Sequence, residues 1–397
     1  MKGRAGVMLA LVAMLAAAVA STAGAGSSAV TASQAVNCNG TLKIGIITPL
    51  TGGAGFLGQE QLLWTQYALS RLAKPLGLKV QLVRGDTPVE KGPGEGLVVA
   101  QKMIADSRLV AVIGPATSGA VASASNALAA AGIAHISPSA TRTSLTYGTN
   151  KEATSSFFRV VPGDNIQGPS DANFMVDKLN VKKVVLIDFQ EPYSVGLADA
   201  AEAVLKRKGV TTIRQSTSVN TTDFSSLVTR VPNDADIVFF PTQQPPDAQT
   251  FGQQLLEQGK KAKVFGGDGS NSPAQFKLNG SYVSNFAPDI SGIPSSKALI
   301  DGWKKANPNA QLGSFGPPAY LATQVALQAI KRACVAGKGS MNSRKDVVKN
   351  VKKVRVPSSI LGGAFRFSTK TNDPLNAKFY IFQIQPNGSY KLISPNV

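Results

Sequence analysis

The chain has 397 residues, of which 43% are hydrophobic and 16% charged. This composition is typical of a globular protein with a sizeable core, and it excludes a disordered or fibrous chain. With one His and two Cys, a zinc site made of Cys and His is excluded. The net charge of +18 raises the question of nucleic-acid binding. We expect no such partner, because no recognition motif or aromatic-interleaved basic run is present.

The first twenty residues have the pattern of an export signal. Lys2 and Arg4 precede an apolar stretch that ends in Ala-Val-Ala at Ala20, the small-residue pattern of a cleavage site. We therefore predict a signal peptide over 1–20 and a Ser/Thr/Ala/Gly-rich linker over 21–40. The protein is expected to be exported, periplasmic or extracellular, and associated with the cell surface. The alternative is that the segment is retained as an N-terminal anchor.

The two cysteines are Cys38 and Cys334. In an oxidising compartment an even pair most simply forms one disulfide. Two unpaired thiols are the alternative.

The first half of the chain alternates strand-like and helix-like segments. In chain order we predict a strand at 43–47, a helix at 59–73, a strand at 79–83, a helix at 93–106, a strand from 109, a helix at 120–131 and a strand from 132. Up to Val161 this is a βαβαβαβ pattern, which predicts a parallel sheet with helices on both faces.

The same alternation begins again after a turn-like segment at 161–164. We predict strands at 183–188, 211–215, 236–240 and 262–265, with helices at 194–208, 223–231 and 246–258 between them. Helices near 295–306, 317–336 and 342–351 follow, and the tail closes with strands at 363–367, 377–384 and 390–393. Two units of similar plan indicate two lobes.

The loops after the strands that start at 109 and 132 are the clearest functional signal. The first contains Gly-Pro-Ala-Thr-Ser and ends at Gly119; the second contains Ser-Pro-Ser-Ala-Thr and ends at Thr141. In open parallel sheets ligands bind outside the carboxyl ends of the strands. Small hydroxyls and backbone N–H groups there suit a small polar molecule, and they include no catalytic acid or base.

Enzyme motifs do not fit their context. Gly53–Gly58 spells Gly-x-Gly-x-x-Gly, but five residues separate it from the preceding strand, and Asp86 lies too far along to be the acid of a dinucleotide fingerprint. No Gly-x-Ser-x-Gly elbow is present, and the single His135 lies inside an apolar strand. We predict no enzyme, cofactor or metal; the alternative is an exported enzyme with an unrecognised carboxylate site.

Several motifs in this order resemble the type I periplasmic binding proteins, and most of all the leucine/isoleucine/valine-binding branch, over residues 42–394. The matching segments are 43–52, 112–118, 136–141, 158–160, 188–196 and 265–269. The resemblance implies an α/β fold of two Rossmann-like, doubly wound lobes joined by a multi-strand hinge. Lobe 1 is expected to comprise 41–162 plus 289–361, and lobe 2 to comprise 163–288 plus 362–397.

The resemblance also implies a function. A monomeric receptor would close on a small ligand, an α-amino acid of branched-chain or related type, and deliver it to the membrane permease of an ABC importer. The chain would cross between the lobes at 161–164, 289–290 and 361–363. A sensory receptor of the same fold is the alternative.

The implied ligand-binding residues are Leu57, Thr117, Ser118, Ser139, Ala140, Thr141, Tyr193, Gln243 and Asp268. Ser118 and the backbone near Ser139 and Ala140 would hold a carboxylate, while Thr141 and Asp268 would hold an ammonium group under Tyr193. For Ser118 and Thr141, helix capping and turn formation are the alternative. Leu57, and the Pro-Thr-Gln-Gln-Pro-Pro segment that contains Gln243, stand where relatives have aromatic residues, so a polar side chain is as compatible as a branched apolar one.

Overall fold

The computed structural model describes residues 35–375 and 377–394. The predicted signal peptide and the first part of the predicted linker lie outside the described residues. None of the helices in the described ranges combines the length and apolar content needed to cross a membrane.

The first part of the chain alternates strands and helices as predicted. Its elements are β1 (Val36–Asn37), β2 (Thr41–Thr48), α1 (Gly55–Leu72), β3 (Lys79–Asp86), α2 (Glu95–Ile104), β4 (Leu109–Ile113), α3 (Ser118–Ala130), β5 (Ala134–Ser137), β6 (Phe157–Arg159) and α4 (Asp164–Asp177).

The middle of the chain repeats this plan with β7 (Lys183–Asp188), α5 (Pro192–Arg207), β8 (Thr211–Ser216), α6 (Ser225–Thr229), β9 (Ile237–Phe239), α7 (Pro245–Glu257), β10 (Lys263–Gly266) and β11 (Tyr282–Asn285). The last part comprises α8 (Lys297–Ala306), α9 (Gly316–Ala336), β12 (Ser340–Met341), α10 (Lys345–Val351), β13 (Arg355–Val356), β14 (Phe365–Arg366), β15 (Tyr380–Ile384) and β16 (Tyr390–Ser394).

Lobe 1 is built on a parallel sheet in the order β3-β2-β4-β5-β6. Helices α1 and α9 pack together on one face, and α2 and α3 pack together on the other. The fully buried run of β4 matches its apolar sequence, as expected for a strand covered on both faces. The predicted doubly wound arrangement is confirmed.

Lobe 2 has a sheet in the order β16-β15-β11-β10-β9-β7-β8. The strands from β11 to β8 are parallel, and β15 and β16 add an antiparallel edge. Helices α4 and α5 pack against each other beside one hydrophobic cluster, while α6 and α7 pack beside a second cluster. This sheet too is covered by helices on both faces.

The chain passes between the two sheets three times. The first two crossings follow β6 and β11, close to the predicted 161–164 and 289–290. The third differs from the predicted 361–363. Phe365, Phe367 and Phe379 still pack in the hydrophobic cluster of lobe 1, and the chain joins the lobe 2 sheet only at Tyr380. These three aromatic side chains hold the segment on lobe 1, so the lobe 2 part of the tail starts about 18 residues later than predicted.

Cys38 and Cys334 form the predicted disulfide, with their Cα atoms 5.9 Å apart. Beside it, β1 pairs with β12 in a two-stranded antiparallel sheet. Both sulfurs are buried, at the edge of the lobe 1 cluster. The bridge therefore ties the segment before β2 to the end of α9.

Replacing both cysteines by Ser should lower the free energy of unfolding by about 2–4 kcal/mol, because the bridge closes a long loop in the unfolded chain. Urea unfolding of the double variant measures the loss, and the unsubstituted protein in reductant should give the same curve. Non-reducing mass mapping that finds both thiols free in the exported protein would contradict this prediction.

Several elements depart from the sequence prediction: the short strands β1, β6, β12 and β13 were not predicted, and three further differences lie in longer elements. Helix α4 and strand β11 were not predicted, and α1 begins at Gly55, inside the Gly-x-Gly-x-x-Gly segment. A Cβ on Gly58 would fall 1.7 Å from the carbonyl oxygen of Pro49. Glycine at 58 thus allows α1 to pack against the end of β2, which is a structural reason for the motif.

Candidate functional site

The lobe 1 side of the cleft starts with the loop after β4. Thr117 is the N-cap of α3, where its hydroxyl accepts the N–H of Ala120 at 3.4 Å. Ser118, the first residue of the helix, accepts the N–H of Arg142 at 3.2 Å, and both Thr117 and Ser118 are buried. Since first-turn N–H groups have no partner within a helix, those of Ser118 and Gly119 remain available beyond the strand end.

In the loop after β5, some polar groups are hydrogen-bonded and one is not. The hydroxyl of Ser137 accepts the N–H groups of Ala140 at 2.9 Å and Ser139 at 3.3 Å, and the hydroxyl of Ser139 donates to the carbonyl of Ala116 at 2.7 Å. Thr141 differs, because its buried hydroxyl has no hydrogen-bond partner within the described residues. The hydroxyl of Thr141 is therefore free to bind a ligand. The N–H groups of Ser139 and Ala140 and the hydroxyl of Ser139 are already hydrogen-bonded within the protein.

The side chain of Arg159 stabilises this loop through hydrogen bonds. The guanidinium donates to the carbonyls of Thr141 at 2.7 Å and Arg142 at 3.0 Å and to the hydroxyl of Thr146 at 2.7 Å. It also pairs with Asp373 at 2.6 Å, and it is fully buried. Sequence reasoning singled out Arg159 only as a family match; its positioning role depends on Asp373, 214 residues away.

Tyr193 and Asp268 come together on the lobe 2 side. Tyr193, in the first turn of α5, donates its hydroxyl to Asp268 at 2.9 Å and accepts the N–H of Gly269 at 3.0 Å. Both side chains are almost fully buried. Burial raises the pKa of Asp268 to about 6, although hydrogen bonds from Tyr193 and Gln167 oppose the rise.

Asp164, the first residue of α4, is the site residue that sequence reasoning missed. Its N–H donates to the carbonyl of Thr141 at 2.7 Å, which joins the two lobes at this point. Its carboxylate is fully buried, and neither oxygen has a hydrogen-bond partner in the part of the chain that the structure describes. Burial raises the pKa of Asp164 to about 7, and the nearby charge of Asp268 adds to the rise; the hydroxyl of Thr141, which lies beside the carboxylate, and the charges of Arg159 and Arg142 oppose it.

A third acid, Asp171, lies deeper on α4. Its carboxylate accepts the hydroxyl of Ser284 at 3.0 Å, and Ser284 in turn accepts the amide of Gln167 at 2.9 Å. Burial raises the pKa of Asp171 well above its usual range. Three buried acids near one another are costly when ionised unless a cation meets them. The geometry therefore suits a ligand with a positive group.

The lobes touch around these groups. Arg142, which pairs with Glu152 at 2.9 Å, also donates from lobe 1 to the carbonyl of Pro192 in lobe 2 at 2.5 Å. The backbone of Gly53 lies so close to Gln244 that a Cβ would clash with its amide. The buried groups therefore lie between two lobes that are in contact.

A family model for periplasmic binding proteins matches residues 41–389. The chain belongs to the periplasmic binding protein family. The resemblance to the type I members that the sequence motifs predicted is confirmed.

Individual relatives agree with this assignment. The chain is 30% identical to the Leu/Ile/Val-binding protein BraC3 of Rhizobium johnstonii over 301 residues, covering 74% of this chain and 79% of that protein. The substrate-binding protein LivJ of Streptococcus pneumoniae, solved with isoleucine, has a TM-score of 0.74 at 23% identity, covering 90% of this chain and 100% of LivJ. A solute-binding protein of R. palustris in complex with benzoate has a TM-score of 0.76 at 17% identity, covering 90% and 98%. Structures this distant show the fold alone, and their ligands differ in chemistry.

Leu57 and Gln243, two further predicted residues of this periplasmic binding protein, have other surroundings. Leu57 is buried in the hydrophobic cluster of lobe 1. Gln243, which follows β9, lines a cavity between the lobes together with Thr117. The site residues that the structure brings together most closely are Thr141, Tyr193 and Asp268, with Asp164 added.

His135 lies outside this site. It is fully buried in β5, with Nε2 2.9 Å from the hydroxyl of Ser125 and Nδ1 3.2 Å from the carbonyl of Ile133. Burial lowers its pKa to about 4, so it stays neutral and packed, as predicted from its place in an apolar strand. Across 35–375 and 377–394, no group of three His, Cys, Asp or Glu side chains is arranged to hold a metal ion.

Proposed function

We propose that this chain is the exported solute-binding component of an ABC importer and that it holds an α-amino acid between its lobes. The observation that carries the proposal is the set of buried acceptors without partners at Thr141 and Asp164, next to Asp268. This set suits an ammonium group, whose three N–H donors match three acceptors. Family members are solute-binding proteins, which supports binding over catalysis.

The ammonium subsite would consist of the hydroxyl of Thr141 and the carboxylates of Asp164 and Asp268. Charge-assisted hydrogen bonds of this kind are the strong ones. Tyr193 would orient Asp268 through its hydroxyl, which also contacts Gly269. A bound cation offsets the cost of keeping the two carboxylates ionised and out of water.

The carboxylate subsite would lie at the start of α3. The N–H groups and positive dipole end of a helix favour an anion, and the hydroxyl of Ser118 adds a donor. The backbone of Ser139 and Ala140 was expected to contribute, but their N–H groups are bonded to Ser137. We therefore assign the second backbone contact to the N–H of Thr141.

Closure would follow from this division of contacts. Ser118 and Thr141 belong to lobe 1, while Asp164 and Asp268 belong to lobe 2, so a ligand that touches both sets favours the closed state. The three segments that cross between the sheets would act as the hinge. Contacts between the lobes, such as the hydrogen bond from Arg142 to the carbonyl of Pro192, would form on closure. The closed protein would then bind the permease.

Native mass spectrometry of the protein as purified tests the ligand class, and small-angle scattering tests closure. We expect an α-amino acid as the bound compound and a smaller radius of gyration after it is added to ligand-free protein. A bound compound without an amino group, or an equal radius of gyration with and without saturating amino acid, would contradict the proposal.

The affinity for an amino acid should rise with pH between about 5 and 7. The pKa is about 7 for Asp164 and about 6 for Asp268, both above the usual 3.8. An ammonium group favours the ionised acids, so binding releases protons, and affinity rises by up to about tenfold per pH unit for each proton released. Titration calorimetry in two buffers of different ionisation enthalpy measures this release.

The same shifts predict the opposite trend for the stability of the ligand-free protein. Between pH 4 and 7 the folded state binds more protons at Asp164 and Asp268 than the unfolded chain does. Their contribution to the free energy of unfolding therefore falls as pH rises through this window. Arg142 and Arg159 lie near these two acids, but they are already paired with Glu152 and Asp373.

The affinity prediction has a clear contrary outcome. An affinity for the amino acid that does not change from pH 5 to 8 would contradict the assignment of Asp164 and Asp268 to the ammonium subsite.

A further inference from the structure

We infer that the ligand is a basic amino acid, whose cationic side chain enters a polar cavity beside Gln243. The inference rests on the proposed function, because it places the side chain relative to an amino-acid backbone held between Ser118 and Asp268.

The cavity has a volume of about 270 Å³ and lies between the lobes. Lobe 1 lines it with the loop at 87–93 and the start of α3, and lobe 2 lines it with the loops that follow β7, β8 and β9. Thr117 and Pro192, which flank Ser118 and Tyr193 in the chain, are part of the wall. The cavity therefore adjoins the proposed amino-acid subsite and is large enough for a long side chain.

The wall of the cavity includes two buried polar side chains. Thr117 and Gln243 line the cavity, and each is more than nine-tenths buried. The amide of Gln243 lies beside the carboxylate of Glu191. An apolar side chain of the leucine type would remove these groups from water and offer them no hydrogen bond, which is costly.

Hydrogen-bond acceptors outnumber cations on this wall. One carboxylate oxygen of Glu90 accepts the N–H of Gly53, and the other is buried without a partner within the described residues. Glu191 also lines the cavity, and burial raises its pKa to about 7. Its two oxygens already accept the N–H groups of Tyr193 at 2.9 Å and Ser194 at 2.6 Å, so the carboxylate oxygen without a partner, among the described residues of this wall, is the one on Glu90. Lys91, the basic residue of the wall, is exposed to solvent.

A further acid of lobe 2 lies near Glu90. Asp247, on α7, accepts the amide of Gln244 at 3.1 Å. Burial raises the pKa of Asp247 to about 7, and the charge of Glu90 adds to the rise. Two acids that face each other across the lobe boundary oppose closure when both are ionised. A guanidinium or ammonium group beside Glu90 in the cavity would offset this repulsion, because it neutralises the Glu90 carboxylate.

The test is calorimetric titration of the ligand-free full chain with L-arginine, L-lysine, L-glutamine and L-leucine. Arginine or lysine should bind at least tenfold more tightly than leucine. Glu90→Gln should weaken arginine binding by about 10- to 150-fold, the range for a hydrogen bond to a charged group, and change leucine binding little. Glu257→Gln is the matched control, because Glu257 is exposed at the end of α7.

A second variant keeps the inference testable if Glu90→Gln folds poorly. Gln243→Leu replaces a polar wall by an apolar one, so it should shift the preference from arginine towards leucine by at least tenfold. Leucine binding as tightly as arginine and lysine, or an arginine affinity within twofold of normal in Glu90→Gln, overturns the inference. If leucine still binds and Asp268→Asn weakens this binding by at least about 30-fold, the proposed function stands and only the side-chain class fails. If none of the four amino acids binds, the side-chain inference fails, and the compound found by native mass spectrometry decides whether the proposed function fails with it.

Discussion

Asp268→Asn is expected to weaken amino-acid binding by roughly 30-fold to several thousand-fold, which corresponds to about 2–5 kcal/mol. Asp268 follows the end of β10, between Gly267 and Gly269, and only 2% of its surface is exposed. In the proposed function its negative charge would be the partner of the ligand's ammonium group. Asn keeps the shape and removes the charge, so the ammonium group would be buried against a neutral amide.

The same substitution should leave the melting temperature of the ligand-free protein almost unchanged. The amide oxygen of Asn can still accept the hydroxyl of Tyr193, and a buried acid is removed. If Asp268 only caps the turn at 268–270, Asp268→Asn lowers the melting temperature. Its affinity for the amino acid then stays within a factor of about two of that of the unsubstituted protein. Asp301→Asn is the control, because Asp301 forms an exposed pair with Lys297 that contributes little.

Arg159→Met is expected to lower the free energy of unfolding by about 3–5 kcal/mol, the usual cost of breaking a buried ion pair from one side. Asp373 would be left buried and unpaired, and the carbonyls of Thr141 and Arg142 would lose their donor. Because these carbonyls belong to the loop that carries Thr141, ligand affinity should fall as well. Urea unfolding measures the first effect and calorimetry the second.

The double variant Arg159→Met with Asp373→Asn separates the two causes. Removing the orphaned charge should recover part of the lost stability, since an apolar or neutral pair costs less than one unpaired charge. Affinity should not recover, because the loop carbonyls still lack Arg159. A single variant within 1 kcal/mol of the unsubstituted protein, or a double variant no more stable than the single one, would contradict this account.

Much of the sheet architecture was predictable because its causes are local. Runs such as the one in β4 are apolar throughout, as both faces of a parallel strand are buried. Each run ends at Gly, Pro, Ser and Thr, which favour turns and loops. The chain alone therefore indicated where β4 and β5 end, and so where Thr117, Ser118 and Thr141 would lie.

Helix α4 escaped prediction for a reason that the packing explains. Gly168 and Pro169 interrupt its helical pattern, and both residues normally weaken a helix. In the folded protein a Cβ at Gly168 would fall 2.5 Å from that of Ala200 on α5. Glycine thus permits the close contact of the two helices, and that contact stabilises α4 despite its poor propensity. Because Asp164 begins this helix, the site residue was missed with it.

The sequence by itself determined the family, the strand–helix order, the two cysteines available for a bridge and most of the polar residues at the strand ends. Only the tertiary structure decided which of those residues have free groups. Ser137 engages the N–H groups of Ser139 and Ala140, Arg159 is neutralised by an acid 214 residues away, and Glu90 meets the second lobe. Hydrogen bonding and desolvation depend on neighbours that the fold brings together, whereas strand and turn preferences depend on adjacent residues.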